Sequence, residues 1–170
     1  MMRSTMPLNA ANVPVLGYGG EDDPQLRASV FVRQQLQREG YEFEQDGLNY
    51  RNDDLRAVFL VGPKTKHQWH PESKKEADLF IGRNQSPGVL MQSKIHFVTY
   101  TPRYNHCFWI TVDELERQYE RAQVDGDMNA EDEFDIKVTT SNVARLTLHG
   151  EPPIQTFRTG VRNETVSDIR

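Results

Sequence analysis

Hydrophobic positions are unevenly spread along the chain, and their spacing changes from one stretch to the next. Residues 1–21 mix Pro, Asn and Gly without a period, which predicts a loose arm. From Asp23 the pattern becomes helical: Ala28, Phe31, Val32 and Leu36 fall on one stripe. Asp23 suits the N-cap, Pro24 the first turn and Gly40 the stop, so a helix with one face on a core is expected between them. Tyr41 and Phe43 then alternate with Glu42 and Glu44 up to Asp46-Gly47, the pattern of a half-buried strand entering a hairpin. The run RAVFLVG (56–62) is continuously apolar after Arg56, with β-branched and aromatic residues, and reads as a central strand. ADLFIG (77–82) and VLMQSKIHFVTY (89–100), joined through GRNQSPG, predict a further hairpin, and HCFWI (106–110) a short strand.

A second helix is expected after residue 110. Thr111 and Glu114 have capping-box spacing, Ile110 and Leu115 could staple its start, and Val112, Leu115, Tyr119 and Ala122 would form its buried stripe. An acidic linker, DGDMNAEDEFD, follows, and then FDIKVTT, VARLTLHG and IQTFRTG suggest two or three more strands. The sum is an α/β or α+β chain: a central mixed sheet flanked by helices, in one globular domain over 22–160, with a frayed tail over 161–170.

Composition narrows the classes. At 170 residues the chain suits one domain with a real core, and a mean hydropathy of −0.71 points to polar ends or long loops around it. The net charge of −5 does not carry the general basicity of a nucleic-acid binder, so such a role needs a local basic patch. Cys107 is the single cysteine, which excludes an internal disulfide and favours a reducing compartment. No stretch approaches the ~20 apolar residues of a membrane span, and the first twenty residues have no continuous apolar core of signal-peptide type, so a soluble cytoplasmic protein is expected.

The stretch EADLFIGRNQSPGVLMQSKI (76–95) raises a chemical question, because an amide and an ammonium stand two apart in a strand that otherwise wants burial. Gln92, Lys94 and His96 share one face, with Met91, Ser93, Ile95 and Phe97 on the other. A hairpin through GRNQSPG would bring Asp78 beside Gln92 and Lys94. A carboxylate and an amide oxygen suit Mg²⁺, and a neighbouring lysine could orient a metal-bound water or stabilise charge on a phosphate.

This arrangement resembles the PD-(D/E)xK nuclease superfamily, in its Gln-x-Lys variant found among Mrr-like restriction enzymes. The resemblance covers roughly residues 24–123 and implies a restriction-endonuclease-like core with extra C-terminal strands. It implies a metal-dependent nuclease hydrolysing phosphodiester bonds in DNA or RNA, with DNA favoured, in which Asp78 and Gln92 bind Mg²⁺ (or Mn²⁺) and Lys94 is the catalytic lysine. Two departures stand out. The first helix offers only Glu39, at its very end, where many members carry a glutamate, and Ala77 rather than proline precedes Asp78. At this size the nuclease would work as a homodimer or with a protein partner in a larger complex.

GPKTKHQWHPESKK (62–75) is the most basic part of the chain, with four lysines and two histidines. Beside a nuclease site, Lys64, Lys66, His67, His70, Lys74 and Lys75 would hold phosphates and Trp69 would stack on a base; alternatively the stretch is a solvated loop. His67 and His70 with His106-Cys107 make a poor zinc pattern without a Cys-x-x-Cys, and Asp125, Asp127 and Asn129 open a calcium-like loop that lacks its Gly and closing Glu. Asp135 and Lys137 form a second Asp-x-Lys behind a loop rather than a strand. Cys107, in an apolar strand beside His106, reads as buried packing, because strand neighbours face opposite ways. From Asp113 to Asp135 there are ten acids against Arg117 and Arg121. This surface carries the competing reading, a non-enzymatic interaction or accessory protein of the phage or mobile-element inhibitor type.

Overall fold

The Gly-rich run that ends the expected arm is a strand. In the computed structural model, which describes residues 6–85, 92–128, 136–149 and 155–158, a short helix α1 (Met6–Asn9) and a 3-10 turn lead into β1 (Val15–Gly20). β1 lies parallel to β4 (Ala57–Gly62), in register from Val15 against Ala57 to Gly20 against Gly62. Glycine serves a purpose here, because a Cβ at Gly17 would sit 2.5 Å from the Phe59 ring. Residues 15–20 therefore depart from the loose arm predicted through residue 21.

The described residues fall into two compact units, one within Met6–Val89 and one within Leu90–Arg170. The architecture is α+β. In the amino-terminal unit, helix α2 (Leu26–Arg38) follows β1, then the hairpin β2 (Glu44–Asp46) and β3 (Asn49–Asn52), then β4, then helix α3 (Pro71–Asn84). The sheet order is β1-β4-β3-β2, with β3 antiparallel to both β4 and β2. β4 is central and covered on both faces, as its unbroken apolar run requires. Ala57 and Phe59 pack with Leu36 of α2, while Val58 and Leu60 pack with Ala77 of α3. α2 and its Gly40 stop lie in the expected stretch, Gly40 at φ +94°, but the helix begins at Leu26 with Gln25 as its N-cap, so Asp23 and Pro24 precede it rather than cap and open it. Phe31, assigned to the buried stripe, is instead 48% exposed.

α3 overturns the strand expected over 77–82. Pro71 stands in its first turn with Glu72, and the buried Ser73 and Ala77 recur at helical spacing with the partly buried Phe80. A short apolar run does not by itself separate strand from helix, and here the helical start signals decide.

The described carboxy-terminal unit is built of strands. β5 (Lys94–Thr99), β8 (Ala122–Met128) and β9 (Ile136–Ser141) form one antiparallel sheet. β6 (His106–Cys107), β7 (Ile110–Glu114), β10 (Arg145–Leu148) and β11 (Gln155–Arg158) form the other, in the order β11-β10-β7-β6. β5, β7, β8, β9 and β10 contribute to one core around Trp109, Ile110, Val112, Val124 and Leu146. Gly126 lets the indole of Trp109 lie against β8, since a Cβ there would be 2.5 Å from the ring. The helix expected from Thr111 is replaced by β7, where Ile110 and Val112 are buried and Thr111 and Asp113 alternate with them. Tyr119, placed in that helix's buried stripe, is 82% exposed. The linker splits: Asp125 to Met128 complete β8, and residues 129–135 and the tail over 161–170 lie outside the described residues.

Candidate functional site

The parallel pair β1 and β4 sends two loops out of the same end of the sheet, the place where open α/β sheets gather ligand-handling groups. The two loops are tied backbone to backbone. Glu21 N–H donates to the Gly62 carbonyl and Asp22 N–H to the Thr65 carbonyl, both at 2.9 Å, and Lys64 N–H donates to the Glu21 carboxylate at 2.9 Å. Gly20 permits this approach, because a Cβ there would strike the Thr65 and Lys66 carbonyl oxygens. Thr65 is buried and its hydroxyl donates to the Gly62 carbonyl at 2.8 Å, closing the second loop on itself.

This frame sets Asp23 against His67. Asp23 is 8% exposed; its Oδ1 accepts from Gln25 N–H at 2.8 Å, and its Oδ2 meets His67 Nδ1 at 2.9 Å. The Gln25 amide, then the bond to His67, hold the Asp23 carboxyl below the usual aspartate range despite partial desolvation. An ionised carboxylate only accepts hydrogen bonds, so Nδ1 of His67 carries the proton of this contact, and whenever the ring is neutral its lone pair is on Nε2. The His67 side chain is 78% exposed, and among the described residues Nε2 has no hydrogen-bond partner. A ring with one nitrogen anchored to a buried carboxylate and the other open is equipped to accept a proton from an attacking group.

The remaining basic-loop residues divide. Lys64 and Lys66 are exposed in the same loop, and Lys64 adopts φ +51°. Trp69 stacks on Tyr18 of β1 at 4.0 Å between ring centroids, and His70 is the residue before α3, its Nδ1 buried without a hydrogen-bond partner. Lys74 and Lys75 lie on α3 itself.

The proposed metal-binding set is distributed differently from the expected hairpin. Asp78 is on α3, not on a strand, and its carboxylate accepts from Lys74 Nζ one helical turn away at 2.7 Å. Gln92 precedes β5 in the other unit, with its carbonyl accepting from the Trp109 indole at 2.7 Å, and Lys94 faces Asp127 at 3.6 Å. Asp78, the acid of the set, is thus paired with an ammonium on a helix rather than standing on the strand expected for it. Among the described residues, no three His, Cys, Asp or Glu side chains gather where they could hold one metal ion. The alternation from Lys94 onward is as read: Lys94 is exposed, while Ile95 and Phe97 are buried.

The described acids of 113–128 are largely engaged at home. Asp113 accepts from Thr147 and faces Arg145, Glu120 faces Arg117, and Asp125 takes hydrogen bonds from His96 at 2.6 Å and Gln123 at 2.5 Å. Desolvation pushes the Asp125 carboxyl up, but these two bonds and the nearby charges of His96 and Arg121 outweigh it and leave it below the usual range.

Asp23 had been read only as a helix cap. The signal for more was present in GGEDD, an acid cluster directly after a Gly-Gly that ends an apolar run, but its partner lies 44 residues away. No family model, curated protein or solved structure matches the chain. Among the described residues, no helix is long and apolar enough to cross a membrane.

Proposed function

We propose that the protein is a hydrolase acting on carbonyl-centred substrates, esters or amides, with His67 as general base and Asp23 as the residue that orients it. The single observation behind this reading is the 2.9 Å bond between Asp23 Oδ2 and His67 Nδ1, with Nε2 open. In the reaction, Nε2 takes the proton of an attacking hydroxyl as oxygen bonds to the substrate carbonyl. It returns that proton to the leaving group as the tetrahedral intermediate collapses. Asp23 stays ionised throughout, fixing the tautomer and stabilising the transient imidazolium. The attacking hydroxyl is that of water or of a side chain, and it meets the ring at the open Nε2. An acid after one strand and a histidine after a later one also follows the acid-then-histidine order of α/β-hydrolases, in which a serine precedes both; this is an analogy of arrangement only.

The test is turnover of p-nitrophenyl acetate by the purified chain, His67→Ala and Asp23→Asn. A positioned general base contributes about 10²–10⁴-fold, so both variants should lose that much of the rate above background. A rate in His67→Ala equal to that of the unaltered chain would refute the proposal.

The nuclease reading remains as the alternative, carried by the Asp78…Gln92-x-Lys94 pattern and by the basic Lys64–Lys75 stretch. On that reading the protein cleaves DNA with Mg²⁺ or Mn²⁺ on a restriction-endonuclease-like core. The helical setting of Asp78 and its bond to Lys74 rank it second. Metal-dependent nicking of supercoiled plasmid, lost in both Asp78→Ala and Lys94→Ala, would reverse the order. The cytoplasmic setting belongs to the same proposals and rests on the lone Cys107.

A further inference from the structure

An imidazole that is 78% exposed has little packing to hold it, so its aim depends on the backbone that carries it. That backbone is wrapped around one side chain. Tyr18 stands on β1, and its ring packs against the cluster of Val58, Leu60 and Ala77 beneath α3. Its hydroxyl donates to the Gln68 carbonyl at 2.8 Å and accepts from the His70 N–H at 2.8 Å. Between those two contacts Trp69 lies flat on the Tyr18 ring, with 19° between the planes. The three residues following His67 are thus each held by the same tyrosine. Gly62 leaves room for it, since a Cβ there would collide with the Tyr18 hydroxyl.

We infer that Tyr18 is a positioning residue for His67: its hydroxyl clamps the 68–70 backbone and so keeps Nδ1 on Asp23 and Nε2 facing the reacting group. The inference rests on the hydrolase reading above. Tyr18 contacts no substrate in it and exchanges no proton. The hydroxyl has its donor and one acceptor spent on backbone atoms, and it sits on a strand, which makes the clamp stiffer than a contact between two loops. Losing it would let the segment shift by a fraction of an ångström to about 1 Å, a scale at which misplacement costs up to ~10²-fold in rate.

The experiment compares the full chain with Tyr18→Phe, which keeps the ring stack and removes only the hydroxyl, and with Asp23→Asn as a reference. Two readouts are used: turnover of p-nitrophenyl acetate, and the ¹⁵N signature of the His67 tautomer, which a merely structural role elsewhere would not move. Tyr18→Phe should lower kcat by roughly 10- to 100-fold with KM unchanged, and should shift the signature from Nδ1–H toward a mixture, as Asp23→Asn does. If Asp23→Asn shifts the signature while Tyr18→Phe leaves both signature and rate unaltered, the clamp is overturned and the hydrolase reading stands. If Asp23→Asn leaves the signature unaltered, both fall. Amide exchange in the unaltered chain covers the case of a variant that does not fold: a His70 amide among the slowly exchanging set supports the clamp, and one exchanging at the rate of open loop overturns it.

Discussion

Replacing Gly20 by alanine should damage the proposed site without touching either member of the acid–histidine pair. Gly20 closes β1, and a methyl group there would lie 2.7 Å from the Thr65 carbonyl carbon, closer still to the carbonyl oxygens of Thr65 and Lys66. All of these are backbone atoms, so no side chain can rotate away. Ordinary carbon–carbon contact begins at about 3.5 Å, so relieving the carbonyl-carbon contact alone moves the loop carrying His67 by about 0.8 Å, and the closer carbonyl oxygens demand more. Retreat also strains the Asp22 N–H bond to the Thr65 carbonyl, worth about 1 kcal/mol net, within a total overpacking cost of about 1–3 kcal/mol.

The two consequences are measured separately. Denaturant unfolding followed by fluorescence should report the loss of about 1–3 kcal/mol, and ester turnover should fall by up to ~10²-fold from misplacement of His67 at concentrations where the variant is fully folded. Turnover and stability both unaltered would mean that the loops are not held against each other as described. Lost stability with full turnover would mean that His67 does not depend on this frame.

Two further outcomes follow from charge and burial. Burial pushes the Cys107 thiol up to about 11, so at pH 8 almost none of it is thiolate; alkylation by iodoacetamide should be far slower than for a free thiol and should speed up in denaturant, and fast labelling of the folded chain would contradict the packing described. Asp23 and Asp125 are both held below the ordinary aspartate range in the folded chain, so each adds stability above its unfolded pKa that is lost as pH falls through its lower folded value; stability should therefore decline on the acid side of pH 4, and the decline should be shallower in Asp125→Asn, whereas an acid limb identical in the variant would remove Asp125 as a source.

What could be read from the sequence follows the physics of each segment. The β4 run was legible because a strand covered on both faces must be apolar at every position, and α2 because Gly40 supplies a left-handed stop that few other residues tolerate. The hairpin β2–β3 was legible from its Asp46-Gly47 turn, whereas the Tyr41 and Phe43 alternation precedes β2, whose three residues are exposed. β1 was missed for the opposite reason: its glycines, which read as loop, make room for Phe59 on one side and for the Thr65–Lys66 carbonyls at its end. Segments 77–82 and 111–114 exchange helix and strand: over 77–82 a short apolar run suggests a strand while the helical start at Pro71-Glu72 decides, and over 111–114 a partner strand overrides the local capping pattern. Ala77 has β4 to pack on, and Thr111 has β10 to pair with. Both partners are distant in sequence, where local periodicity carries no information.

The candidate site was hidden by the same limit, sharpened by its economy. Asp23 uses one oxygen for a local bond to Gln25, which looks like helix capping, and the other for a histidine three strands later in the chain. What couples them is the register of a single parallel ladder. Six consecutive pairs, from Val15 with Ala57 to Gly20 with Gly62, fix where the two loops leave the sheet. A slip of one residue would move one loop by about 3.3 Å relative to the other, more than the 2.9 Å that separates Asp23 from His67. It would also turn Tyr18 from the α3 face to the opposite one. The buried contacts of Val58, Leu60 and Ala77 that set this register are thus the same contacts that aim the imidazole. Core packing and candidate chemistry are tied together through Tyr18, which belongs to both.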